Sequence, residues 1–248
     1  MQTEMTNLLS RGNTAEIFDY SENKILKLFN KDYPELAINH EFENSKIIFN
    51  LGIKTPKAYE ITDCSERKGI VYDKIEGTTV LQILLKLMKT AETDKSVISE
   101  INSYFEKFAR FHKNFISKTT DNPNLMNYKD FLRIFARDKK DFLEKIDALP
   151  DGNNVLHGDF HPDNLMLGKD NELYLIDMMN VCKGPAEYDI ARTYFLLGSN
   201  KQIQQDYLKL METDFESIKP FHEIISLLRN REMSLESRFL IIFLPVSF

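Results

Sequence analysis

Apolar and polar residues change rhythm near residue 77. Before it, short alternating runs dominate, as strands require, because successive strand side chains point to opposite faces. Residues 16–30, EIFDYSENKILKLFN, hold two such runs around a Ser-Glu-Asn turn and predict a β-hairpin. From Tyr33 the period lengthens: Leu36, His40, Ser45, Ile47, Ile48 and Leu51 fit one helix that starts at Pro34 and stops at Gly52. The runs TPKAYEIT and KGIVYDKI, separated by a polar Asp-Cys-Ser-Glu-Arg turn, predict two more strands.

After Gly77 the three-and-four spacing of helices takes over in residues 80–92, 97–118 and 128–149, as in Ile101, Tyr104, Phe105, Phe108 and Phe111. One β-like island interrupts it at residues 155–180, with LML and ELYLID as a short hairpin around residues 168–171. Helical character returns at Glu187. The expected organisation is α+β in two lobes: a small β-rich lobe with one helix, residues 1–75, and a larger, mostly helical lobe, residues 76–248. The most apolar run, FLIIFLPVSF at 239–248, is shorter than the ~20 residues a membrane-spanning helix needs. It is expected as a core-facing helix or strand stopped near Pro245, and a truncation there is left open.

Composition narrows the function classes. With 248 residues, 42% hydrophobic and 28% charged, the chain is expected to be soluble and globular, with room for two lobes. A net charge of −6 argues against a surface built to neutralise nucleic-acid phosphates. The two cysteines, Cys64 and Cys182, form no CxxC pair, so no thiolate zinc site or disulfide framework is expected. A reducing cytoplasmic setting fits, and the N-terminal MQTEMTNLLSRGN lacks the pattern of a signal peptide.

The candidate chemistry concentrates in the island, where His157, Asp159, His161, Asp163 and Asp177 stand among strands that must be buried. A transition-metal site from His157, Asp159, His161 and Asp163 is one reading. Gly158 and Pro162 prevent the helix that would bring the histidines to one face, and no HExxH pattern is present. Turn capping is a second reading, but it leaves Asp177, at the end of an apolar strand, without a role. Phosphoryl transfer is the third. It needs an aspartate for the acceptor hydroxyl, an amide oxygen for magnesium, and a carboxylate bridging the metal to nucleotide phosphates. Asp159, Asn164 and Asp177 fit these roles, and the interval from Asp159 to Asn164 is the D-x-x-x-x-N of a kinase catalytic loop.

HGDFHPDN, followed by LID and GPAEYDIAR, resembles the aminoglycoside phosphotransferase and choline kinase family, small-molecule kinases with a protein-kinase-like fold. The resemblance implies Asp159 as catalytic base, Asn164 and Asp177 as magnesium ligands, Asp189 as a structural residue bonding back to the loop, and His157 as scaffold. A kinase also needs a strand lysine on the phosphates and a helix glutamate to hold it. Lys27, flanked by apolar residues in KILKLF, suits the first; Glu41 and Glu43 are candidates for the second. Glu41 is preferred, since G-I-K-T-P resembles the family's G-x-x-x-P after that helix. Ser10 and Thr14, in a segment with one glycine, are candidates to cover phosphate. By the same resemblance, GIVYDKIEG resembles the hinge strand, with main-chain groups from Tyr72 and Asp73 to Ile75 bonding the adenine edge.

The expected activity is phosphoryl transfer from ATP, with GTP as an alternative donor, through Mg2+ to a hydroxyl of a small molecule such as an aminoglycoside, choline or a sugar. A nucleotide-binding pseudokinase or regulatory module is the competing class. A protein kinase fits less well, because no A-P-E element follows Asp177. Asp206, Glu212, Asp214 and Glu216 would suit a cationic acceptor if they lined the cleft. No nucleic-acid or membrane partner is expected, and the protein is expected as a monomer or homodimer.

Overall fold

A computed structural model describes residues 7–136, 140–198 and 200–232. The chain runs through β1 (Leu8–Arg11), β2 (Ala15–Ser21), β3 (Lys24–Phe29), α1 (Glu35–Asn50), β4 (Ala58–Cys64), β5 (Arg67–Asp73) and β6 (Gly77–Thr79). Helices α2 (Val80–Ala91), α3 (Ile98–Ile116), α4 (Tyr128–Ala136) and α5 (Lys140–Asp147) follow. Three strands come next, β7 (Asn154–Leu156), β8 (Leu165–Gly168) and β9 (Leu173–Leu175), then β10 (Cys182–Gly184) and helices α6 (Ala186–Leu196), α7 (Lys201–Leu210) and α8 (Phe215–Glu232). No helix among the described residues is long and apolar enough to cross a membrane.

Two compact units emerge. In the described chain the first comprises residues up to Thr79 together with Leu165–Met179, and the second Val80–Asn164 with the residues from Asn180 onward. The hairpin β8–β9 therefore departs from the simple division at residue 76. Its backbone explains why: β8 pairs with β6, and the Leu175 N–H donates to the Lys54 carbonyl at 2.9 Å.

In the first unit five antiparallel strands lie in the order β1-β2-β3-β5-β4. The β2–β3 hairpin turns at Asn23, whose φ of 60° places it in the left-handed region that asparagine tolerates. On one face of the sheet Leu26, Leu28 and Val71 form a buried cluster; on the other, Ala15, Phe29, Ala58, Ile70 and Tyr72 pack with Ile38 of α1 and with Met179. Strand alternation puts Lys27 on that second face with Ile25 and Phe29. The inward stripe of α1 differs from the expected one. Leu36 is 82% exposed, while Ile38, Glu41, Asn44, Ser45 and Ile48 are buried. Three of those five are polar, so this stripe serves more than packing.

The second unit is helical around a two-stranded β7–β10 sheet, in which Leu156 pairs with Cys182. The helix expected over residues 128–149 is helical over α4 and α5, with residues 137–139 between them outside the described set. The apolar run at 239–248, with the element expected to stop near Pro245, lies outside the described residues as well.

Candidate active site

Lys27 is the centre of the first unit's polar cluster. Its Nζ donates to Glu41 Oε1 at 2.6 Å and to Asp177 Oδ1 at 2.9 Å, and its side chain is only 13% exposed. Burial disfavours the ammonium, but Asp177 and Glu41 outweigh it and hold the lysine well above its usual range. Burial pushes the Glu41 carboxyl up, against the pull of Lys27. Of the two glutamates on α1, Glu41 meets Lys27, whereas Glu43 pairs with Lys46 on the surface. Asp177 sits just past β9 at φ 64°, a conformation that costs a non-glycine residue free energy and is found where a side chain must be re-aimed. Asn44 helps hold this segment, its Nδ2 donating to the Met178 carbonyl at 2.9 Å.

In the second unit the loop after β7 is clamped from α6. Asp189, fully buried, accepts the His157 and Gly158 backbone N–H groups at 2.7 and 2.8 Å and faces His112 Nε2 at 3.1 Å. Burial alone would raise the Asp189 carboxyl. The His112 bond and the nearby positive and N–H groups reverse that and leave it below the usual range. His112 stacks on Phe160 with ring centroids 4.0 Å apart and contacts the Tyr207 hydroxyl at 2.7 Å. Gly158 has φ 75°, and a Cβ there would lie 2.4 Å from the Asn180 carbonyl oxygen, so only glycine fits. One turn after Asp189, Arg192 donates through Nε to the Gly158 carbonyl at 3.0 Å and through a terminal nitrogen to Asp159 Oδ1 at 3.3 Å. Asp159 Oδ2 lies 3.5 Å from His161 Nε2. The loop thus presents an aspartate oriented by a buried guanidinium. Asn164 closes it, its Nδ2 donating to the Asp159 carbonyl at 2.9 Å and lying 3.1 Å from His161 Nε2. That directs the amide oxygen the other way.

The model of the phosphotransferase enzyme family known as APH matches residues 11–221, most of the chain and all the residues just described. The chain belongs to that family. No curated protein matches the sequence. Among solved structures, a type VIII aminoglycoside-3'-phosphotransferase superposes with a TM-score of 0.59 at 12% identity, covering 91% of this chain and 93% of the other. APH(3'')-Id from Streptomyces rimosus, solved with ADP and streptomycin, gives 0.58 at 12% identity over 86% and 90%. The ternary complex of APH(2")-IIa with streptomycin and ATP gives 0.56 at 19% identity over 97% and 90%. These likenesses establish the kinase-like fold of this phosphotransferase. Family and fold together make it a small-molecule phosphotransferase.

The remaining expected residues of the phosphotransferase are placed less simply. Ser10 stands on β1, a strand that the sequence reading did not anticipate, opposite Ile17 and exposed. The turn is consequently shorter, from Gly12 to Thr14, closed by the Gly12 N–H on the Ala15 carbonyl at 2.9 Å and by Asn30, whose side chain holds the Asn13 carbonyl at 2.7 Å. The Thr14 carbonyl accepts the Asn30 N–H at 2.8 Å. Tyr72 and Asp73 end β5, but the Asp73 N–H is engaged with the Lys57 carbonyl at 3.1 Å and its carboxylate with Tyr59 at 2.8 Å. The Tyr72 side chain is buried and reaches Glu41. Asp206, Asp214 and Glu216 are engaged within a turn, with Gln202, Ser217 and Lys219, and Glu212 pairs on the surface with Lys113 of α3. Arg192 escaped the sequence reading although it lies inside the quoted GPAEYDIAR. Its signal is the spacing from Asp189, which puts both side chains on the same part of α6.

Proposed function

We propose that this phosphotransferase moves the γ-phosphoryl group of ATP, with Mg2+, to a hydroxyl of a small organic acceptor. The observation that carries the reading is the half-buried Lys27 held between Glu41 and Asp177, at 2.6 and 2.9 Å. A charged lysine held by two carboxylates, one of them buried, is a phosphate grip whose orientation is set before ligand arrives. Glu41 positions Lys27, and Lys27 neutralises phosphate oxygens.

Asp177 in the first unit and the Asn164 amide in the second are hard oxygens of the kind Mg2+ takes, a metal that needs one or two protein oxygens and completes its shell with water and phosphate. When bound, Mg·ATP supplies the transferable phosphoryl group. Asp159, held by Arg192, accepts the acceptor hydroxyl's proton as that oxygen bonds to phosphorus, and ADP leaves. Adenine would meet the main chain beyond Asp73, around Ile75.

The structures of fold neighbours with ADP and streptomycin or ATP and streptomycin support an adenine nucleotide and a cationic, polyhydroxylated acceptor. The test is phosphate transfer from labelled ATP, with GTP alongside, to a panel of aminoglycosides, choline, ethanolamine and sugars. Magnesium-dependent transfer to one acceptor class is expected, with Asp159→Asn lowering kcat by about 10²–10⁴-fold. No turnover with any acceptor, and Asp159→Asn matching wild type in slow ATP hydrolysis, would overturn the reading.

A further inference from the structure

We infer that the Tyr72 hydroxyl is a positioning group for the phosphate-gripping lysine, acting through Glu41. This rests on the proposed role of Lys27.

The geometry is confined to one face of one sheet. In the antiparallel β3–β5 pair, Lys27 stands opposite Ile70 and Tyr72 opposite Ile25. Lys27 and Tyr72 are therefore diagonal neighbours on the face that α1 covers, within reach of a shared partner. Glu41 is that partner. Its Oε1 accepts from Lys27 Nζ at 2.6 Å and from the Tyr72 hydroxyl at 3.1 Å. The other carboxylate oxygen, Oε2, is buried with no hydrogen-bond partner. Both donors thus fall on one oxygen, and among the described residues they are the bonds that fix the rotation of this carboxylate about its stem.

Tyr72 is itself held. The Tyr72 proton goes to Glu41, so Ser45, one turn after Glu41 on α1 and 3.1 Å from the Tyr72 hydroxyl, reaches it only by sharing the proton that it also directs to the Glu41 carbonyl at 2.8 Å. Tyr72 is 8% exposed and Ser45 fully buried, so water does not compete for these bonds. Burial and the Glu41 carboxylate keep the phenol protonated, hence a donor.

A buried carboxylate with two donors is oriented; with one it can swing about the remaining bond. Without the hydroxyl, Glu41 would keep Lys27 as its sole donor, and Lys27 could follow Asp177 alone. The consequence is a lysine less often aimed at phosphate. Phenylalanine at position 72 would conserve ring packing, which makes the substitution a clean removal of one O–H.

The experiment measures nucleotide affinity with a fluorescent ATP analogue and steady-state kinetics for wild type, Tyr72→Phe, Lys27→Met, Glu41→Gln and the double variant Tyr72→Phe/Glu41→Gln. Tyr72→Phe is expected to weaken nucleotide binding about tenfold (about 1.4 kcal/mol) with the acceptor KM unchanged. In the Glu41→Gln background the same substitution should change affinity less than twofold, the signature of action through Glu41. If Glu41→Gln does not fold, the Lys27→Met background serves, since the group Glu41 holds is then absent. Lys27→Met separates the two readings. If it leaves nucleotide affinity intact, the proposed role of Lys27 fails. If it weakens binding while Tyr72→Phe stays within twofold of wild type, or acts fully without Glu41, only the inference about Tyr72 fails.

Discussion

Arg192, on helix α6, holds the loop after β7 through its side chain, and its loss should be read in turnover. The guanidinium touches Asp159 and the Gly158 carbonyl at once, a two-point hold that lysine's single ammonium does not reproduce. A hydrogen bond to a charged group contributes about 1.5–3 kcal/mol. Arg192→Lys and Arg192→Gln are therefore expected to lower kcat roughly 10- to 100-fold with nucleotide affinity unchanged, checked by kinetics and nucleotide titration. An equal loss in nucleotide binding would show that Arg192 supports the whole unit and has no particular role at Asp159. The four acidic residues 206, 212, 214 and 216 make the opposite case. Each has a partner at the surface, so neutralising any one should leave turnover within about 0.5 kcal/mol, the ordinary range of surface substitutions.

Elements turn these side chains into a site, and the turns between them are the sensitive points. Between β7 and the turn at Pro162–Asn164, the chain passes Gly158 so close to the Asn180 carbonyl that a methyl group has no room. Gly158→Ala also forces an L-residue to φ 75°. The expected cost is on the order of 1–3 kcal/mol, seen as a lowered Tm, together with loss of activity because Asp159 is the next residue. A melting temperature equal to wild type would mean that the loop relaxes freely. Helix α1 illustrates the same dependence. Its buried stripe carries Glu41, Asn44 and Ser45, polar groups that a helix turns inward only when another element supplies partners. Those partners are Lys27 on β3, Tyr72 on β5 and the Met178 carbonyl after β9.

For the whole molecule, the buried charges set the pH range of stability. The Asp189 carboxyl is depressed in the folded state, so its contribution is fully present above the unfolded value of about 4 and is lost as pH falls through the lower folded value. Lys27 is raised, so its contribution is present below the unfolded value near 10.5 and is lost only as pH rises beyond that. The raised Glu41 carboxyl acts in the opposite sense, its contribution fading as pH rises above its unfolded value. Urea unfolding should find a decline below about pH 4 that is shallower in Asp189→Asn; an unchanged acid slope in that variant would count against Asp189 as the group responsible. Legibility in the sequence also varied with scale. Strand and helix periods, the D-x-x-x-x-N interval and the apolar setting of Lys27 were visible because they are local, written in spacing along the chain. The preference for Glu41 over Glu43 came from the resemblance after that helix; the grip of Arg192 on Asp159, the inward turn of Tyr72 and the placement of β8–β9 in the first unit were not visible at all. Each joins residues far apart in sequence, and a lone arginine, tyrosine or glutamate carries no mark of its partner. Spacing along the chain determined which chemistry this protein can carry; strand register, helix rotation and burial decided which side chains meet to perform it.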